Sequence, residues 1–302
     1  MVPGLTKYQD QVFDLLVVGL GPAGVACVLQ ARRDGLTVVA VSEEPPGGLL
    51  AAARRLDNFP GLSPVAGARL AEMLQRQIER QSLALVKGRV TWLERPVGLF
   101  EVLLQEGEGN MLRARAVVLA VGTEPRPWRL SSDGPLHRDV RTLEGDLRKQ
   151  RVVVVGGGEA ALDSALSCRD RGARVVVLMR GRKPRATARL IEEIQEAGIE
   201  VEPGIKLRRV ARHAGRWQLR AENGRAFTAE QLLVCIGRRP RLELLRGLGA
   251  RPGRDLAARG CRGLFLAGDV IRGRERYAAA AMGDGQRAAL AARDFLSKEA
   301  GA

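Results

Sequence analysis

Apolar positions along the chain fall into short unbroken runs, each closed by glycine and followed by a stretch of mixed polarity. Leu15 to Val18 is the first such run; it feeds directly into Gly19-x-Gly21-x-x-Gly24, and Val25 to Arg33 beyond it reads as helix. A short apolar run bounded by turn signals is what a strand buried on both faces looks like. Gly35 breaks the helix, and Leu36 to Val41 reads as the next buried strand. The period then changes: Leu70, Met73, Leu74 and Ile78 recur at helical spacing, predicting an amphipathic helix over 66–80. Leu83 to Val86, Val90 to Leu93, Leu99 to Leu104 and Ala114 to Ala120 read as strands with turns between.

Ala116 to Gly122 ends a strand at a glycine, and Pro125 and Pro127 punctuate the next stretch, which marks a domain crossing. Residues 131–150 are polar and turn-rich. A second copy of the opening pattern then appears: an apolar run from Arg151, Gly156-x-Gly158-x-x-Ala161, a helix from Glu159 to Asp170 and a strand from Arg174 to Leu178. Strands over 205–210 and 216–220, with Gly224 as a turn, lead to Gln231 to Gly237, which repeats the Ala116–Gly122 pattern and marks the crossing back. Gly263 to Val270 is a strand ending in Gly268-Asp269, and residues 278–297 form a helix of small residues. The expected fold is α/β, with two Rossmann-like dinucleotide-binding domains. The first is discontinuous, 1–117 with 243–302, and the second spans 118–242.

The chemistry of the repeated motif comes from its backbone. Strand, glycine turn and helix start make the dinucleotide-binding fingerprint: one glycine for the tight turn, one for close approach of a pyrophosphate, one for helix–strand packing. The free N–H groups of the helix start then face the phosphates. In the first unit these positions are Gly19, Gly21 and Gly24, with Pro22 and Ala23 between. Glu43, 24 positions after Gly19, is the candidate ribose acid, with Ser42 beside it. Pro45 to Gly61 is an apolar, glycine-paired loop suited to close approach of a flat ligand. In the second unit the turn is Gly156, Gly158 and Ala161, with Glu159 and Ala160 opening the helix. The position matching Glu43 is Arg180, in a cluster with Arg182, Lys183 and Arg185. An acid suits a free ribose 2′-hydroxyl and an arginine a 2′-phosphate, so the two units look tuned to different nucleotides. A merely solvated basic loop is the alternative reading.

The 302 residues carry 49 Lys/Arg against 34 Asp/Glu, net +15. Residues 118–242 hold 25 of these bases and 15 of these acids, so the excess is concentrated there. No aromatic-basic RNA motif or helix-turn-helix pattern accompanies it, which argues against nucleic acid. Steering of an acidic protein or a phosphorylated cofactor is one reading, and an arginine-rich proteome the other. No apolar run approaches the ~20 residues that span a bilayer. Met1 to Gln11 shows no leader pattern, and Cys27, Cys168, Cys235 and Cys261 make no close pair or metal spacing; both point to the cytoplasm. Cys27, Cys168 and Cys235 read as buried apolar residues, whereas Cys261, in a Gly-Cys-Arg-Gly loop, is a redox candidate whose basic neighbours would lower its pKa. His137 and His213 read as exposed loop residues.

With two nucleotide units and a first domain completed by the C-terminal segment, the chain resembles the two-dinucleotide-binding-domain flavoproteins, and among them the low-molecular-weight thioredoxin reductases. Gly19 to Gly24 resembles that family's FAD site, and Gly47-Gly48 with Asn58-Phe59-Pro60-Gly61 its flavin loop. Gly156 to Ala161 resembles its NADPH pyrophosphate site, and Gly268-Asp269-Val270 its motif for the ribityl or pyrophosphate region. The resemblance implies FAD contacts also for Leu49, Ala120, Gly122, Tyr277 and Ala278. It implies NADPH, or another nucleotide, at Gly156, Gly158, Glu159, Ala160, Ala161, Arg180, Arg182 and Arg185. Tyr277 stands next to the flavin by the same resemblance and is the one catalytic candidate. Homodimers are implied as well.

The departures bear on function. The family's redox Cys-x-x-Cys, aligned back from Arg151, falls near Asp139 to Thr142, and no cysteine lies between 28 and 167. Its Gly-Gly-Gln-Leu is Gly47-Gly-Leu-Leu50, its Arg-Gln is Arg276-Tyr277, and its His-Arg-Arg-x-x-x-Arg-Ala is thinned to Arg180-Gly-Arg-Lys-Pro-Arg-Ala186. Thiol exchange needs an attacking thiolate and a second sulfur to resolve it. The expected protein is therefore an FAD-dependent, NAD(P)H-linked oxidoreductase without the dithiol, serving an external acceptor such as ferredoxin or flavodoxin. Two alternatives stay open: an atypical disulfide reductase using other cysteines or a donor other than NADPH, and a flavin-binding sensor or scaffold with an altered second site.

Overall fold

The computed structural model describes residues 8, 11–62, 64–105, 111–134, 136–253 and 255–301. The chain divides into two units, residues 1–51, 57–124 and 240–302 in the first, and 52–56 with 125–239 in the second.

The first unit opens with β1 (Val12–Val18), α1 (Pro22–Arg33), β2 (Val38–Ser42), α2 (Gly67–Glu79) and β3 (Ala84–Lys87). It continues through β4 (Val90–Glu94), β5 (Phe100–Leu104) and β6 (Met111–Leu119). The valine-rich runs of β1 and β2 are buried on both faces, and β3, β2, β1 and β6 pair in parallel in that order. β6 has nine residues and serves two partners along one edge. Its first part, Met111 to Ala114, pairs antiparallel with β5, and Val117 to Leu119 pair in parallel with a strand from the C-terminal segment. In α2, Leu70, Leu74 and Ile78 are buried as their spacing requires.

β7 (Thr123–Pro125) carries the chain across. The second unit contains β8 (Arg151–Val155), α3 (Glu159–Asp170), β9 (Arg174–Leu178), α4 (Ala188–Glu196) and β10 (Glu200–Glu202). The antiparallel strands β11 (Leu207–His213), β12 (Arg216–Ala221) and β13 (Ala226–Ala229) come next, then β14 (Gln231–Val234). β10, β9, β8 and β14 form a parallel sheet, the same nucleotide-binding half seen in the first unit. Residues 52–56 join this unit through Arg54, whose N–H donates to Asp163 (2.9 Å) and whose guanidinium pairs with Asp170 (2.5 Å) and Glu193 (3.0 Å). Burial raises the Asp163 carboxyl above its ordinary range, against the opposing pull of that N–H.

β15 (Arg238–Pro240) pairs with β7 on the way back. The first unit is then completed by α5 (Glu243–Gly247), β16 (Arg251–Pro252), β17 (Ala258–Arg259), β18 (Leu264–Leu266) and α6 (Ala278–Ala300). β18 is the strand that joins the end of β6.

The observed divisions, Glu124/Pro125 and Arg239/Pro240, differ from the expected 117/118 and 242/243. β6 runs unbroken to Leu119 inside the first unit's sheet, so a boundary at 117 would cut a paired strand. α4, β10, β13 and α5 were not expected. Cys235 lies just past the end of β14 rather than inside it, and its N–H donates to the Val155 carbonyl (2.8 Å). His137 is not in an exposed loop: it bridges to Leu233 and its Nδ1 lies 2.9 Å from the Thr142 hydroxyl, while His213 is exposed at the end of β11. Among the described residues no helix is long and apolar enough to cross a membrane, and no group of metal-ligating side chains occurs.

Candidate functional site

In the first unit's glycine turn, two of the three glycines are required by the backbone itself. Gly19 has φ +93°, and a Cβ on it would stand 2.6 Å from the Ala120 carbonyl oxygen. A Cβ on Gly24 would stand 1.8 Å from the Gly19 oxygen, so helix and turn touch through bare backbone. Gly21, the N-cap of α1 with Pro22 behind it, has nothing within 4 Å of where a Cβ would be. That open space before a helix N-terminus is what an anionic dinucleotide requires.

Gly47 and Gly48 close the turn from the other side. Gly47 donates to the Leu20 carbonyl (2.7 Å), and a Cβ on Gly48 would lie 3.3 Å from the Gly21 Cα. Leu49 is partly exposed beside them and Asn58 is exposed further along. Glu43 sits just past β2, its carboxylate 3.3 Å from Arg241 and 3.9 Å from Arg89, while the Ser42 hydroxyl donates to the Glu44 carbonyl (2.7 Å). Gly268, at φ +78°, brings the turn carrying Asp269 against α1, where a Cβ would stand 2.8 Å from the Ala23 Cβ. Ala120 is buried, Gly122 has φ +63°, Ala278 opens α6, and Tyr277 is its half-exposed N-cap. Of the expected residues of this unit, Gly19, Gly24, Ala120, Gly47, Gly48 and Gly268 are thus packed on the turn around Gly21 and the first residues of α1. Asn58 lies in an exposed loop, and Tyr277 precedes α6.

The second unit repeats the turn. Gly156 donates to the Leu178 carbonyl (2.9 Å), and a Cβ on it would meet the Cys235 oxygen at 2.2 Å and the Ala161 Cβ at 3.0 Å. Gly158 caps α3, with Glu159 and Ala160 exposed on the first turn. The loop after β9 returns to this point: Arg185 donates its N–H to the Gly157 carbonyl (2.6 Å) and bridges to Gly158. Arg180, Arg182, Lys183 and Arg185 are all exposed, and none is ion-paired among the described residues. Exposed guanidinium groups with no ion pair suit a phosphate, and of these residues Arg185 is the one whose backbone is tied to the start of α3.

At the place expected for a redox dithiol, Asp139 caps a short turn over Val140–Thr142, accepting from the Arg141 N–H (2.9 Å) and pairing with its guanidinium (2.7 Å). Burial pushes the Asp139 carboxyl up, and the Arg141 contacts hold it below the ordinary value. The four thiols are free. Burial pushes Cys27 up to about 12, and Cys168 and Cys235 up to about 11. Cys261 corrects its expectation: burial raises its thiol, and the opposing pull of Arg95 does not reverse the shift. Two groups that the motifs did not flag are Arg272 and Asp284, a part-buried ion pair under the Gly268 turn (2.6 Å) whose carboxylate is buried. The one available signal was an acid inside a helix of small residues.

The model of the pyridine nucleotide-disulphide oxidoreductase family matches residues 13–285. A thioredoxin reductase of Ureaplasma parvum is 28% identical over 52% of this chain and 52% of its own length, so that match spans about half of each protein. A thioredoxin reductase of Coxiella burnetii is 26% identical over 95% of this chain and 98% of its own. The crystal structure of Lactococcus lactis thioredoxin reductase in its FR conformation superposes with a TM-score of 0.85 at 20% identity, over 95% of this chain and 99% of that one, a likeness of fold. The chain belongs to the pyridine nucleotide-disulphide oxidoreductase family, as a thioredoxin reductase-like, FAD-dependent oxidoreductase of a group that uses FAD and NADPH.

Proposed function

We propose that this protein passes electrons between NAD(P)H and an external acceptor without an internal dithiol, the acceptor being an acidic carrier such as ferredoxin or flavodoxin. The observation carrying this reading is at Asp139 to Thr142, where an aspartate caps a turn and the Thr142 hydroxyl donates back to the Asp139 carbonyl (2.8 Å), with no cysteine at either position. The raised thiols elsewhere do not replace them, because attack on a disulfide needs a thiolate near neutral pH.

FAD supplies the redox chemistry when bound, and the chain's own part is to bind, orient and shield. In this reading the N–H groups around Gly21 take the pyrophosphate and Glu43 the ribose hydroxyls, while Asn58, Asp269 and Tyr277 support the flavin end. The turn at Gly156 to Ala161 takes the nicotinamide dinucleotide, and Arg180, Arg182 and Arg185 take a 2′-phosphate. The proposal extends to a cytoplasmic homodimer.

The test is anaerobic. Purified protein is checked for bound FAD, and its visible absorbance is tracked after addition of NADPH, NADH or reduced ferredoxin. Fast bleaching by NADPH with at least tenfold slower bleaching by NADH is expected. Bleaching by ferredoxin alone would overturn the nicotinamide assignment and make ferredoxin the donor. No bleaching by any of the three would leave a binding protein rather than an enzyme.

A further inference from the structure

The turn that carries Asp269 is fastened at both ends to one buried carboxylate. At its start, the Gly268 N–H donates to Asp284 Oδ2 (3.3 Å). Just past its end, Arg272 Nε donates to Oδ2 (2.6 Å) and Nη2 to Oδ1 (2.8 Å), a bidentate pair. The Asp284 side chain is 3% exposed and that of Arg272 24%. The neighbouring Gly285 brings α6 onto α1 so closely that a Cβ there would stand 2.0 Å from the Ala23 oxygen. α1 is the helix whose N-terminus faces the open space at Gly21.

A buried carboxylate is costly unless fully paired, and well-packed apolar residues often do as well for stability. What an apolar pair would not do is hold two ends of a turn to one point. With Gly268 and Arg272 both anchored, Asp269 between them has little freedom. Arg272 is drawn electrostatically to Asp284 first and also to Glu275 and Asp269. Its remaining nitrogen, Nη1, makes no hydrogen bond to the described residues.

We propose that Arg272 and Asp284 are a positioning pair for the dinucleotide of the first unit, fixing Asp269 beside the α1 N-terminus and adding a guanidinium charge there. The inference rests on the reading of this unit as the FAD site. Neither residue has to touch the ligand for binding to depend on the pair.

The variants are Arg272→Met, Arg272→Lys, Asp284→Asn and the double Arg272→Met/Asp284→Asn. Two quantities are measured on each: the FAD dissociation constant of flavin-stripped protein, by quenching of flavin fluorescence, and the melting temperature of the same stripped protein. Arg272→Met and Asp284→Asn are each expected to weaken FAD at least tenfold, and Arg272→Lys to recover part of the loss. The double variant is expected to melt closer to wild type than either single one, because no lone charge is left buried, yet to bind FAD as poorly. Unchanged FAD affinity in folded single variants, with only the melting temperature lowered, would overturn the proposal and make the pair structural. So would a double variant whose FAD affinity returns with its stability. If Arg272→Met does not fold, Arg272→Lys decides by the same two measurements. A wild-type protein that binds no FAD would overturn the cofactor reading itself, which the variants' failure alone would not.

Discussion

A Cβ on Gly24 would sit 1.8 Å from the Gly19 oxygen, whereas one on Gly21, three residues earlier, meets nothing within 4 Å. Gly24→Ala must therefore push helix from turn, and about 3 kcal/mol or more of stability should be lost. Gly21 has φ −64°, a value alanine adopts freely, so Gly21→Ala should stay within about 1 kcal/mol of wild type in the flavin-free protein. The methyl group would instead stand where the pyrophosphate approaches, and FAD affinity should fall at least about tenfold. Urea unfolding and FAD titration of the two variants separate these effects; a Gly21→Ala protein that binds FAD normally would remove the turn from the site. Gly19 and Gly24 were legible because a tight turn needs φ > 0 or a missing Cβ whatever surrounds it. Cys261 was not legible, because its burial comes from packing against the first unit's core, far off in sequence.

Between elements, Asp14 ties the start of β1 to the start of β2. It accepts from the Thr37 N–H (2.9 Å) and hydroxyl (2.7 Å), and Arg115 reaches it at 3.2 Å. Burial pushes the carboxyl up, but these donors together hold it below its ordinary value of 3.8. An acid depressed in the fold stabilises it above the unfolded pKa, and that contribution is lost as pH falls through the folded value. Wild type should therefore lose stability below about pH 4 more steeply than Asp14→Asn, which has no proton to take up there. Thr37→Val should cost about 1–2 kcal/mol at pH 7. Equal acid limbs for wild type and Asp14→Asn would show that Asp14 contributes nothing to them. Both βαβ units were legible because their strands are buried on both faces and end in glycine. α4 was not: Thr187 caps it by accepting from the Leu190 N–H (3.4 Å), but only Ile194 is fully buried, so the apolar pattern over 188–196 is thin. Arg272 and Asp284 stand twelve residues apart with no periodic relation, and meet only because the chain turns back from Val270 into α6.

For the whole chain, the net charge of +15 sets the long-range field whatever each arginine touches. Many of these arginines are neutralised locally, as Arg225 is by Glu202 and Arg54 by Asp170, whereas Arg180, Arg182, Lys183 and Arg185 are not paired among the described residues. A field of this sign speeds encounter with an acidic protein, and salt screens it over a Debye length of about 8–10 Å near physiological ionic strength. Electron transfer from the reduced protein to ferredoxin or flavodoxin should therefore slow about tenfold between about 0.02 M and about 0.3 M salt. Reduction of an uncharged quinone, measured by stopped flow under the same conditions, should change less than about twofold. The contrast matters because salt also weakens binding of the anionic nicotinamide; starting from protein already reduced removes that step. A carrier rate as insensitive to salt as the quinone rate would mean that the basic surface does not guide the acceptor, and the acidic-carrier assignment would fall with it.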